Sequence, residues 1–287
     1  MEGRRPGTGV QLWLLLGPTL FWLIVFLVLP LILVAVISFA TRGEYGDVVY
    51  RFNLHNYLRF LDPLYLEITV RSIWVALLTT LIALLIGYPF AYYVANADPR
   101  RRPLLLLLII VPFWTNFLIR TYAWIVLLRT EGVINTFLQG LGLIHEPLSL
   151  LYNMGSVLLG LVYGYLPFMV LPIYASIEKL DPRLLEAAQD LGALPRQAFW
   201  RVTLPLTLPG IVAGSILTFV PALGMFVVPD LMGGAKTVLI SNLIQNQFLT
   251  ARNWPFGSAA AVVLMVLVVV SLVIYARASG FEGEEAR

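Results

Sequence analysis

The sequence predicts an all-α integral membrane protein of six transmembrane helices with both termini cytoplasmic, and three observations lead there. The chain of 287 residues is 59% hydrophobic and only 12% charged, where a soluble domain carries about 25% charged residues. Its mean hydropathy is +0.85. Six segments are long and apolar enough to cross a hydrocarbon core, which takes about 20 residues at about 1.5 Å rise each. The Lys and Arg residues between them lie unequally on the two sides, the asymmetry that orients membrane helices. Other classes are excluded by the same composition. A net charge of +3 is weak and scattered, so no nucleic acid is expected as a partner. There is no Cys, hence no disulfide framework, thiolate metal site or thiol nucleophile. His55 and His145 stand in different loops, too few for a zinc site of three or four ligands, and no metal is expected.

The first span is expected at about 12–39. Arg4 and Arg5 precede it as in a signal peptide, but the run exceeds the about 7–15 residues of a signal core and holds no small-residue cleavage site. It reads as a retained helix. In the loop beyond, Leu54, Tyr57, Leu58 and Leu61 fall at i, i+3, i+4 and i+7, predicting a short amphipathic helix that lies on the membrane surface or contacts an external partner. Asp62-Pro63 should end it, because a residue before Pro avoids the α region. The remaining spans are expected at about 70–95, 104–128, 157–177, 209–228 and 259–276. Pro30, Pro89, Pro112, Pro167, Pro172 and Pro221 fall inside them; neighbouring helices can satisfy the carbonyls they free, as packing kinks or as hinges. The Gly160/Gly164 and Gly210/Gly214 pairs predict close helix approach.

With six spans, both termini share a side with the loops near 96–103 and 178–208. That side carries Arg4, Arg5, Arg100, Arg101, Arg102, Lys179, Arg183, Arg196, Arg201, Arg277 and Arg287, eleven cations. The opposite side carries seven: Arg42, Arg51, Arg59, Arg71, Arg129, Lys236 and Arg252. Both termini and the 178–208 loop are therefore expected in the cytoplasm.

That loop has its own local grammar. Asp181-Pro182 is a helix-start signature, and Arg183–Leu191 should make two to three turns with Glu186 and Asp190 on one face. Ala187 and Ala188 are small enough to let a helix sit deep in a groove. Gly192 can take the left-handed conformation that closes a helix. Pro195 should open a second helix carrying Ala198, Phe199 and Val202, and Leu204-Pro205 with Pro209 should mark re-entry into the bilayer.

The spacing Glu186-Ala187-Ala188, three residues, Gly192, nine residues, Val202-x-Leu204-Pro205 resembles the EAA loop of bacterial ABC-importer permeases of the MetI-like type. Val202 stands where that family usually has Ile. The stretches Phe113–Trp124, Leu166–Leu180, Pro221–Thr237 and Asn253–Ala259 are similar to the spermidine/putrescine permeases of that family. The resemblance implies a multi-pass bacterial inner-membrane subunit with the MetI-like permease fold. It implies that Glu186, Ala187, Ala188, Asp190, Gly192, Val202, Leu204 and Pro205 couple to an ATPase. Its implied partners are a second homologous permease, two copies of a cytosolic ATPase that bind the ATP and Mg, and a periplasmic polyamine-binding protein. A same-family permease for iron, thiamine or an opine stays open as an alternative, as does a self-contained secondary carrier.

Gly233-Gly234-Ala235-Lys236-Thr237 only superficially matches a phosphate loop, since Ala235 interrupts the Gly-Lys-Thr and no strand precedes it. No cofactor is expected in this chain, nor any catalysis. For a polyamine pathway, aromatic faces and carboxylates are the matching groups. The candidates are Trp114, Asn116, Tyr122, Trp124, Tyr163, Tyr165, Phe219 and Phe226, with Asp230 and Glu131 as external anions, although membrane interfaces enrich Trp and Tyr without any ligand. Arg120 lies within a span, where a charge costs about 2.5–3.5 kcal/mol, so it should face protein or water. A cation repels a polycation, so a salt bridge or gate contact is expected, with Glu131, Glu146 or Asp230 as possible partners.

Overall fold

The computed structural model describes residues 8–234 and 237–278. Arg4, Arg5, Ala235, Lys236 and Arg287, on which part of the charge asymmetry and the phosphate-loop comparison rest, lie outside the described residues. The chain forms two compact units: one runs to Asp62 and includes Ile244–Val266, the other comprises Pro63–Leu243 and the residues from Leu267 onward.

The first unit opens with a helical rod, α1, made of Thr8–Leu23, a π turn Ile24–Val28 and Leu29–Ser38. The π turn falls directly before Pro30, where a missing N–H and the ring's clash with the preceding turn favour a wider coil. From Leu15 to Val36 the rod exposes most of its large apolar side chains, and only Ile37 and Ser38 in its last segment are buried, as befits a helix solvated by lipid. Its end is held by Asn56, whose Nδ2 donates to the carbonyls of Ser38 and Ala40 at 3.0 and 2.9 Å. A hairpin pairs β1 (Thr41–Arg42) with β2 (Val48–Val49). The expected amphipathic helix follows as α2, His55–Phe60.

The second unit contains α3 (Pro63–Asn96), α4 (Arg102–Trp114), α5 (Phe117–Leu128), α6 (Val133–Gly140) and α7 (Met154–Glu178). It continues with α8 (Pro182–Asp190) and with α9, which comprises Pro195–Ala198, a π turn Phe199–Thr203 and Leu204–Leu206. Next come α10 (Leu208–Gly224) and α11 (Val227–Met232). Helices α12 (Ile240–Leu249) and α13 (Trp254–Ala278) belong partly to each unit in sequence.

Among the described residues four helices are long and apolar enough to span a bilayer unbroken: Leu15–Ser38, Pro63–Asn96, Met154–Glu178 and Trp254–Ile274. Two bent helix pairs bring the number to six if each pair is taken as one span. The expected third span, 104–128, is not one helix: Arg102–Trp114 and Phe117–Gly140 meet at 92°. At the break Asn116 is the N-cap of the second helix, its side chain accepting from Leu118 N–H at 2.8 Å. The expected fifth span also changes. Helix α10 stops at Gly224, and Val228 belongs to the separate helix α11, while Pro195–Leu206 enters α10 through a 60° bend.

Helices α3, α7 and α10 form the core of this unit. Ala83 and Ala91 of α3 pack with Met169, Val170 and Ile173 of α7, all fully buried. Gly210 and Gly214 make the α7–α10 approach possible: a Cβ on Gly210 would stand 2.5 Å from Ser176 Cβ and 2.7 Å from the Pro172 carbonyl. The other expected pair works at one end only. Gly160 sits against Val228 and Met232, but a Cβ on Gly164 would meet nothing within 4 Å.

Candidate coupling loop and translocation elbow

The loop after α7 is built by local hydrogen bonds. Asp181 accepts from Arg183 N–H at 3.0 Å, and Pro182 occupies the first turn of α8. At the other end Ala193 N–H reaches the Ala188 carbonyl at 3.0 Å and Gly192 N–H the Gln189 carbonyl at 2.8 Å. This Schellman closure requires a left-handed residue, and Gly192 has φ +83°. Leu194 N–H then donates to Gln197 Oε1 at 2.9 Å, starting α9.

The two short helices present opposite characters. In α9, Phe199 sits edge-on to Tyr88 and Tyr92 of α3, with ring centroids 5.8 and 5.6 Å apart. Ala198 and Thr203 are buried, Val202 is half-buried and Leu204 packs on the core. Helix α8 turns outward: Glu186, Ala187, Asp190 and Gly192 are exposed, and Ala188 is half-buried. Leu191, at its end, is 89% exposed. A short helix carrying Ala187 and Ala188 thus exposes most of its residues, next to a helix anchored on α3.

The mount meets α10 at Thr207. Leu204 N–H bonds back to the Phe199 carbonyl, closing the π turn just before Pro205, which cannot donate to the turn behind it. Pro205 itself is exposed. The buried Thr207 hydroxyl donates to the Thr203 carbonyl at 2.9 Å, and Tyr88 Oη lies 3.0 Å from Thr207 Oγ1. A cavity of ≈ 240 Å³ between α3, α7 and α8 is lined by Tyr92, Arg102, Glu178, Pro182, Leu185 and Thr203 among others.

The pathway candidates are only partly brought together. Trp114, Asn116 and Tyr122 are exposed around the elbow. Tyr163 lies across from it, edge-on to Trp124 at 5.4 Å. Phe113 and Phe168, 5.1 Å apart, extend the same aromatic group, which Tyr165 joins through Phe168 at 6.2 Å. Tyr165 Oη also donates to the Pro221 carbonyl at 3.2 Å. Phe219, Phe226 and Asp230 stand apart from this group, on α10, at its end and on α11. Asp230 is exposed.

Arg120 corrects an expectation. Among the described residues it has no carboxylate partner, neither Glu131, Glu146 nor Asp230. Its Nη1 donates to the carbonyls of Pro112 and Phe113 at 3.3 and 3.5 Å, and its guanidinium lies 5.7, 5.6 and 5.7 Å from the ring centroids of Phe113, Phe117 and Tyr163. The elbow creates these acceptors by ending α4 early, so hydropathy along the chain could not reveal them. The Thr115-Asn116 pair inside an apolar run was the available signal.

Asn135 was missed outright. Fully buried, it accepts from Leu148 N–H at 2.9 Å through Oδ1, while Nδ2 reaches the carbonyls of Leu148 at 2.9 Å and Thr130 at 3.1 Å. It pins the two ends of the loop between α5 and α7. Asn135→Ala should take from Leu148 N–H and the Thr130 carbonyl the partner each has here, at about 1–3 kcal/mol of local cost. Limited proteolysis is then expected to cleave the 129–153 segment faster than in the wild type, with the helices unaffected.

Residues 83–279 match the family described as "Binding-protein-dependent transport system inner membrane component". The chain is 51% identical over 258 residues to the spermidine/putrescine transport system permease protein PotB of Salmonella typhimurium (strain SL1344), covering 90% of each chain. It is 50% identical over the same length to PotB of Escherichia coli (strain K12), covering 90% of this chain and 94% of the relative. In fold it matches a chain of the bacterial alginate ABC transporter crystallised with an alginate-bound periplasmic protein, with a TM-score of 0.79 at 19% identity, covering 96% and 95% of the two chains. The chain therefore belongs to the family of inner-membrane components of binding-protein-dependent transport systems.

Proposed function

We propose that this chain is a permease subunit of an ATP-driven importer that carries spermidine and putrescine across the inner membrane. The observation that carries this reading is the 51% identity to a spermidine/putrescine permease over 90% of both chains. In the proposed complex it pairs with a second, homologous permease. Two copies of a cytosolic ATPase power the pair, and a periplasmic binding protein delivers polyamine. Both termini and the loop after α7 face the cytoplasm in this reading, supported by the Lys and Arg asymmetry.

Helix α8 is the proposed docking element. Glu186, Ala187, Ala188, Asp190 and Gly192 would enter a groove on the ATPase, and Val202, Leu204 and Pro205 would transmit its movement. Exposure of α8 and anchoring of α9 on Tyr88 and Tyr92 support that division. Displacement of α8 would then rock α10 against α3 and α7 and alternate the access of the pathway. Trp114, Asn116, Tyr122, Tyr163, Phe219, Phe226 and Asp230 are the proposed lining, with Arg120 at the gate.

Proteoliposomes holding this chain with its co-purified partners and binding protein are expected to accumulate labelled spermidine only with ATP inside the cytoplasmic compartment, and excess putrescine should suppress it. A complex that assembles and hydrolyses ATP but moves no polyamine would show the substrate to be wrong and leave the permease reading standing.

A further inference from the structure

We infer that the elbow between α4 and α5 is a binding site for a substrate ammonium group, occupied in this conformation by Arg120 as an internal surrogate; the inference rests on the polyamine reading above. The 92° break leaves the last carbonyls of α4 without partners in their own helix. Two of them, Pro112 O and Phe113 O, face the guanidinium at 3.3 and 3.5 Å, and Pro112 O also accepts from Thr115 Oγ1 at 2.6 Å. The carbonyl end of a helix carries partial negative charge, and in broken membrane helices such ends coordinate cations. The faces of Phe113, Phe117 and Tyr163 complete the enclosure at 5.6–5.7 Å, within the range of cation–π attraction.

Every acceptor in this enclosure is neutral, and among the described residues no carboxylate bonds Arg120. A primary ammonium brings three donors and one charge, so it can replace the guanidinium at the same carbonyls and rings. At the carbonyls themselves one singly charged group replaces another, so the acceptors face the same charge before and after the exchange. Neutral acceptors also suit transit, since a conducting site must bind strongly enough to admit the solute and weakly enough to release it. Arg120 rides on α5 and its acceptors end α4, so a movement of the elbow would part the guanidinium from them. Tyr163 is 36% exposed, leaving one wall of the enclosure reachable.

The test is spermidine binding to the assembled complex in nanodiscs, without the binding protein, by equilibrium dialysis of labelled spermidine. Arg120→Gln removes the competing cation, and its affinity is expected to exceed the wild type's by about tenfold, the scale of the three cation–π contacts that the guanidinium gives up. Adding Tyr163→Leu should reverse the gain, and Arg120→Lys should bind as the wild type does. An assembled, ATP-hydrolysing Arg120→Gln complex that binds no more tightly overturns the inference. Should that variant not assemble, the wild-type complex is trapped with vanadate in the presence of a diazirine-bearing spermidine. Labelling within residues 112–120 or at Tyr163 supports the site, and labelling confined elsewhere overturns it. Wild-type uptake of spermidine, measured in parallel, separates the two readings. Its absence refutes the polyamine assignment itself, whereas uptake with unchanged Arg120→Gln binding refutes only the elbow site.

Discussion

Gly192→Asp is expected to lower ATP-dependent uptake by about 100-fold or more while the protein still inserts and reaches its normal membrane level. Gly192 closes α8 at φ +83°, a conformation that costs other L-residues about 1–2 kcal/mol. Space is not the obstacle, because a Cβ there would meet nothing within 4 Å, and Gly192 itself is exposed. Strain alone would loosen the end of α8. The carboxylate does more. It joins Glu186 and Asp190 on an exposed element, and if that element docks in a groove the added charge is buried without a partner, which costs about 3–5 kcal/mol. Gly192→Ala carries the strain without the charge and should keep a substantial part of the activity. Uptake and ATPase assays, with an immunoblot of membranes, separate these cases. Normal import by the Asp variant would falsify the docking role of α8.

A different kind of failure is expected from Gly210→Val. Its Cβ would lie 2.5 Å from Ser176 Cβ and 2.7 Å from the Pro172 carbonyl, and a backbone carbonyl cannot swing aside as a side chain can. Helix α10 must therefore back away from α7. Overpacking of a core typically costs about 1–3 kcal/mol, and a backbone clash on a three-helix seam belongs at or above the top of that range. The expected result is loss of monodisperse protein on size-exclusion chromatography in detergent, before any transport assay. Gly164→Ala is the matched control, since open space surrounds that position. It should leave the elution profile unchanged, although Gly164 belongs to the same kind of sequence pair.

The two glycine pairs illustrate what was legible beforehand. GxxxG spacing marks a face where helices can approach, but only the neighbour's position decides whether each glycine is used. Gly210 and Gly214 face α7, Gly160 faces α11 and Gly164 faces nothing. Arg120 repeats the lesson. A charge in an apolar run had to find polar company, and reading along the chain suggested carboxylates. The acceptors turned out to be carbonyls that exist only because α4 ends at Trp114. Asn135 offered no pattern at all, because a loop-pinning amide depends on which backbone groups converge on it.

What the residues alone determined is therefore whatever depends on composition and on short-range chemistry. Hydropathy placed the apolar segments because lipid demands about 20 residues of them. Asp181-Pro182 and Gly192 delimited α8 because caps act within one turn. The tertiary structure decided the rest: the 92° elbow, the mounting of α9 on Tyr88 and Tyr92, and the enclosure around Arg120. An apolar window reads the same whether its helix is straight or broken. Contacts between residues far apart in the chain depend on which helix faces meet, and that is a property of packing rather than of any local stretch of sequence.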